Sequence, residues 1–309
     1  MPNFIVHSYF GDLVTDSLQP DKQALIESNK DLFYMGANGP DLFFSFRELG
    51  FGLPSFANQM QSMNTFEVFD AAAAYIKEHP DDKRAYVYFL GLFCHYALDS
   101  VMHPYVYYAV DNCFFADYPA KYQKTMHTIM EVYFDEYVIV HKQNLELSSY
   151  SPKSLIAAKK ADRHKMAQLY QDIILPIYDA KVSNKLMAIS FWIAYFFHRV
   201  TNDKKGRKRR LYERMEAPFG YAKLTCFLKP IFDSNNYDFL NNNRRPFRIV
   251  RNEEELSTEN FDEMLIRAHK LCAGLIAKFD SACSGGLPLD KGDFLVNYEG
   301  IKEPNYIKK

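Results

Sequence analysis

Cys94-His95-Tyr96-Ala97-Leu98-Asp99-Ser100-Val101-Met102-His103-Pro104 places three ligand-type side chains at four-residue steps inside an apolar run. On a helix, residues at i and i+4 lie one above the other on the same face. His95, Asp99 and His103 therefore form one polar stripe, while Tyr96, Leu98, Val101 and Met102 demand burial. Burying a polar group without a partner costs roughly 2–7 kcal/mol, and a divalent cation offsets that cost directly. His127-Thr128-Ile129-Met130-Glu131 carries a second pair at the same spacing, between the apolar Met126, Val132 and Phe134. Five nitrogen and oxygen donors on two facing helices is how a helical protein builds a metal site. The plain alternative is a buried hydrogen-bonded network. Asp135, one turn past Glu131, is either an orienting partner of His127 or a solvated charge.

Working outward, apolar periodicity is helical nearly throughout. It predicts helices over 65–78, 83 to about 103, 121–142, 162–177, 183–202, 208–217 and 261–284. Asp81-Asp82 supply caps for the second of these. Pro104 disfavours helical geometry just before it, so His103 is expected at a helix end or kink. Leu186 to Phe197 reads as a buried helix. Loops are marked at Gly36 to Asp41, Gly50 to Pro54 and Asp233 to Asn243, and Gly285-Gly286 ends the last helix. Strand signals are sparse, and no biased linker or internal repeat divides the chain. The expectation is an all-α fold, one large multi-helix domain over residues 1–309.

Bulk properties narrow the function classes. The 309 residues include 26 Phe and 22 Tyr, enough for a large core, and the formal net charge is −1. That balance carries no specific nucleic-acid signal; the local exception is the basic run Lys204 to Arg210. Five cysteines without a CxxC motif suit reduced thiols. No basic region followed by a long apolar run opens the chain, and no uninterrupted apolar stretch reaches the ~18 residues of a membrane span. A cytoplasmic protein without a transmembrane segment is expected. Arg244, Arg245 and Arg248 around Pro246 are phosphate-binding candidates or the flanks of an exposed loop. Tyr105, Tyr107 and Tyr108, just past His103, are candidates to line a lipid or base pocket, but in a chain with 22 tyrosines packing is the preferred reading. His141, His164, His198 and His269 lack partners at ligand spacing.

The chain resembles the zinc-dependent phospholipase C family, which shares its all-helical fold with the P1-type nucleases. The matching pieces run in order: His7; Tyr34-Met35-Gly36-Ala37-Asn38-Gly39-Pro40-Asp41; Gly91 to Asp99 with His103-Pro104; and His127 to Glu131. Tyr237 to Asn241 and the last amphipathic helix are similar to the compact intracellular bacterial branch. The resemblance implies that Asp99 bridges two metals, with His95 on one and His7 on the other. It implies a further zinc on His103, His127 and Glu131, so one to three zinc ions in all. Asp41 would be a ligand or the general base.

The implied reaction is hydrolysis of a phosphoester, with phospholipid among the candidate substrates and metal-activated water attacking phosphorus. Secreted members place another histidine between the early aspartate and the central helix. Here Gln61 stands at that position, a poorer zinc donor than imidazole. Secreted members also use a freed amino group as a ligand, whereas this sequence starts Met1-Pro2. The His103, His127 and Glu131 site is therefore expected to bind best. A non-enzymatic descendant, keeping a structural metal and serving as a binding or scaffold protein, is the second reading.

Overall fold

The computed structural model describes residues 4–45, 50, 52–114, 120–147, 159–201, 203, 207–229 and 237–303. Met1-Pro2 and Lys204 to Gly206 of the basic run lie outside the described residues, as does part of the Asn-rich loop. In chain order the helices are α1 (Phe4–Asp16), α2 (Pro20–Ser28), α3 (Lys30–Ala37), α4 (Pro54–Ser62), α5 (Thr65–Glu78), α6 (Lys83–Ala109) and α7 (Ala120–Gln123). They continue as α8 (Met126–Tyr137), α9 (Lys160–Leu169), α10 (Asn184–Thr201), α11 (Arg207–Glu216) and α12 (Phe261–Cys283). Short 3-10 turns include Gly39–Phe44, directly after α3. The sheet among the described residues is one antiparallel pair, β1 (Phe247–Arg248) and β2 (Leu256–Ser257). The fold is all-α.

α6 is the axis of the molecule. From Val87 to Val106 every position is buried, with α1, α3 and α12 packed around it. Helices ordinarily keep their axes 8–10 Å apart because side chains intervene. α3 and α6 come closer through two glycines. A β-carbon on Gly36 would run into the Tyr88 carbonyl oxygen, and one on Gly91 into the Phe33 carbonyl oxygen. This backbone-on-backbone crossing lays the end of α3, and the turn carrying Asp41, against His95. Gly39, at φ +40°, sits where a β-carbon would overlap the His95 ring.

Helix ends follow the sequence chemistry. The Asp82 carboxylate accepts from Ala85 N at 3.1 Å and starts α6. α12 opens with a capping box: Asn260 Oδ1 accepts from Glu263 N at 3.1 Å, and Glu263 Oε2 accepts from Asn260 N at 3.0 Å. Helix α5 spans the predicted residues.

Three expectations need correction. α6 does not end near His103; it continues through Pro104 to Ala109. The proline withholds one helical hydrogen bond, but Gly300, at φ +67°, packs so closely on the Pro104 ring that a β-carbon would overlap it. Burial on all sides thus outweighs the local penalty. The predicted 121–142 helix breaks into α7 and α8 at a turn over Lys124-Thr125 and ends in a π-turn, Val138–Lys142. α10 is buried on one face only: Met187, Phe191 and Ala194 point inward, while Leu186, Ile189, Trp192 and Phe196 are exposed. The segment Lys83–Cys113 has the length and composition to cross a membrane, yet 94% of its most apolar window is buried inside the protein.

Candidate metal centre

The structure gathers the seven sequence-selected residues into two groups. His7, Asp41, His95 and Asp99 offer ligand atoms that all lie within 4.8 Å of one another, and so do His103, His127 and Glu131. Both groups draw on the stripe of α6.

In the first cluster, α1 supplies His7, the 3-10 turn supplies Asp41, and α6 supplies His95 and Asp99. All four are buried. His7 Nε2 lies 3.3 Å from Asp99 Oδ1 and 3.9 Å from Asp41 Oδ2. His95 Nε2 lies 3.1 Å from Asp99 Oδ2. Among the described residues, neither His7 Nε2, His95 Nε2 nor Asp99 Oδ2 has a hydrogen-bond partner. Buried polar atoms are ordinarily paired. Donor atoms this close, and not aligned for hydrogen bonds, are disposed as ligands around a cation. His95 Nδ1 lies 3.1 Å from the Ala37 carbonyl oxygen, which can only accept. Nδ1 therefore carries a hydrogen, so Nε2, on the Asp99 side, is the ring atom left for a metal.

Burial alone would raise the Asp99 carboxyl, but the histidines His95, His103 and His7 hold it well below the ordinary range. Burial would lower His95, and the Asp99 charge reverses that and raises it. The cluster thus holds an ionised carboxylate among imidazoles, a donor set that fits zinc.

Gln61 belongs to this cluster in a different capacity. Its side chain is buried, and Nε2 donates to Asp41 Oδ1 at 2.8 Å. The amide thereby orients Asp41.

The second cluster joins α6 to α8. His127 Nε2 lies 2.9 Å from Glu131 Oε1, and His103 Nε2 lies 3.5 Å from the same oxygen. Glu131 Oε2 is buried without a hydrogen-bond partner among the described residues. His103 Nδ1 donates to the Tyr298 carbonyl at 2.7 Å, which again leaves Nε2 for a ligand. Burial would lower the His103 pKa, but Asp99 and Glu131 raise it to about 9. Burial would raise Glu131, and the cationic charge around it lowers it instead. Tyr107 packs its ring 4.9 Å from that of His127 and lies under Arg251, whose guanidinium carbon is 3.6 Å from the ring centre. Tyr107, Arg248 and Arg251 also line a cavity of about 440 Å³.

Asp135 takes neither role considered for it. It is fully buried and accepts from Ile5 N at 3.1 Å and Val6 N at 2.9 Å, with Lys229 Nζ 3.0 Å away. It holds the first turn of α1, and with it the neighbouring His7. Sequence reading also missed Tyr298, whose N–H donates to the Gln61 carbonyl at 3.1 Å and whose ring lies 5.6 Å from that of His95. Its backbone therefore touches both clusters. The nearby Gly300 is the one local hint of a close approach. Arg244 pairs with Glu263 and is not part of either cluster.

The fold and the two clusters define an all-helical protein with two groups of side chains, on α1, α6, α8 and the turn carrying Asp41, that could each hold a metal ion. The chain belongs to the zinc dependent phospholipase C family, whose model matches residues 6–183. That span contains all seven cluster residues and Gln61. No curated protein and no solved structure matches the chain.

Proposed function

We propose that this protein hydrolyses phosphoric ester bonds, with a metal-activated water attacking phosphorus. The observation that carries the reading is the set of buried, partnerless donor atoms, His7 Nε2, His95 Nε2, Asp99 Oδ2 and Glu131 Oε2, converging in two adjacent clusters. His7, His95 and Asp99 would hold metal in the first cluster, and His103, His127 and Glu131 in the second. Bound zinc would neutralise phosphoryl oxygens and acidify a nearby water. Asp41, held by Gln61, is the carboxylate suited to orient that water and take its proton. Asp99 anchors the first cluster, and its charge reaches His103. The Arg248 and Arg251 side of the neighbouring cavity suits an anionic substrate. A phospholipid is the favoured substrate class, and the cytoplasm the favoured site of action.

Turnover of phosphatidylcholine and of a generic aromatic phosphodiester tests the reading, together with metal content by elemental mass spectrometry on wild type and His127→Ala. Two or more zinc ions per chain with chelator-sensitive turnover is the expected result. One structural zinc without turnover on either substrate would favour the non-enzymatic descendant.

A further inference from the structure

Among the described residues, α11 is inverted relative to an ordinary surface helix, whose apolar stripe faces the core. Its inward side is held by polar contacts. Tyr212 Oη and Lys208 Nζ donate to the Val200 carbonyl at 3.0 and 2.9 Å. An Arg209 guanidinium nitrogen donates to the Leu228 carbonyl at 3.0 Å, and buried Glu216 accepts from Thr225 N at 3.2 Å. Buried Asp203 caps the first turn by accepting from the backbone N–H groups of Arg207, Lys208 and Arg209, each at 3.0 Å. The helix is therefore firmly set, and its outward face is presented by design of the fold.

That face carries Leu211 and Met215, each 56% exposed, and runs on to Phe219, 55% exposed. Arg207, Arg210 and Arg214 are exposed beside them. None of these three guanidinium groups forms an ion pair among the described residues. The preceding helix adds a second apolar stripe, Leu186, Ile189, Trp192 and Phe196, with the last two rings stacked at 5.8 Å. Single exposed leucines need no explanation, but apolar stripes on two consecutive helices do.

Apolar side chains flanked by unpaired arginines on one helix face match one kind of partner best: a surface with apolar depth beneath anionic headgroups. We propose that α11, together with the exposed stripe of α10, docks the protein on an anionic lipid bilayer. Both helices lie beyond the matched residues 6–183. The inference deepens the hydrolase reading and rests on its phospholipid side, since docking would bring lipid-borne substrate to the protein.

Trp192 is the single tryptophan of the chain and is exposed on α10, so its fluorescence reports directly whether the α10 stripe meets the bilayer. The full-length protein is mixed with vesicles of phosphatidylglycerol and phosphatidylcholine, and with phosphatidylcholine vesicles alone. The expected result is a blue shift and co-sedimentation with the anionic vesicles, weakened by salt. The triple variant R207E/R210E/R214E should bind at least about 100-fold more weakly. A second variant, L211S/M215S, should bind about tenfold more weakly and guards against loss of the first through misfolding.

Equal binding to neutral vesicles, or unchanged binding of both variants, overturns the proposal. So does a blue shift that grows with protein concentration without lipid, which would assign the face to a second copy. Vesicle binding needs no turnover: binding without hydrolysis would count against the hydrolase reading, and hydrolysis of soluble diesters without vesicle binding would count against docking.

Discussion

The two clusters share α6 but are assembled by different means. The first is reached through a glycine-mediated crossing of α3 on α6, and all four of its residues are buried. The second is closed by α8 and by the Tyr298 carbonyl, and its His127 side chain is 23% exposed. The first is the more enclosed, the second the more open to solvent. The difference bears on the proposed hydrolysis: the enclosed cluster keeps Asp41 among buried donors, while the second leaves His127 partly open to solvent.

The sharpest way to break the comparison is Asp99→Ala. Asp99 contacts His7 and His95, and its charge also raises His103. Turnover should fall by about a thousandfold, the upper range for losing one electrostatic stabiliser of a transition state. Metal content should drop by the ions of the first cluster. Full activity with that metal gone would place the chemistry in the second cluster alone.

Gln61→Leu probes the enclosed cluster more gently. It removes the hydrogen bond to Asp41 while keeping the volume. Metal affinity there should weaken by about 10–100-fold, the usual cost of losing an orienting partner. Competition with a zinc chelator measures it. An unchanged affinity would mean that Asp41 needs no support.

Proton competition separates the clusters by pH. His103 holds its proton up to about 9 in the metal-free protein. Its folded pKa is raised, so the stability it gives that form is complete below about 6.5, its ordinary range, and is lost as pH rises through about 9. Metal must displace the proton. Zinc affinity of the second cluster should therefore climb about tenfold per pH unit from roughly 6.5 to 9 and then level off. Calorimetric titration across that window checks the slope, and a flat profile would remove His103 from the ligand set.

Asp135→Ala should have the smallest effect on chemistry. It leaves the backbone N–H groups of Ile5 and Val6 and the Lys229 ammonium without their acceptor. Stability should fall by about 1.5–3 kcal/mol, as for other hydrogen bonds to charged groups, with metal content near normal in the folded fraction. Thermal unfolding and elemental analysis together test this. Loss of the first cluster's metal instead would show that the start of α1 positions His7 more strictly than packing alone does.

Five of the seven cluster residues, His95, Asp99, His103, His127 and Glu131, were legible from helical spacing, which is a local rule, while His7 and Asp41 came only with the family resemblance. Residues four apart on a buried helix must face the same way, whatever the rest of the chain does. The same rule located α5, α12 and the start of α6 nearly to the residue. It could not reveal that Pro104 stays helical, because the compensation comes from Gly300, nearly 200 positions along the chain. Nor could it separate a ligand role for Gln61 from a supporting one, since the amide's direction depends on Asp41 from another element. The exposure of Trp192 and Phe196 was likewise hidden: an apolar helix reads alike whether both faces are covered or one.

By itself, then, the sequence determined the all-helical fold and the five candidate donors on α6 and α8, because each follows from side-chain type and local periodicity. Only the tertiary structure decided which donors share a site, which carbonyls orient the imidazoles and which apolar faces remain uncovered. Those depend on contacts between segments far apart in the chain, whose geometry is set by packing.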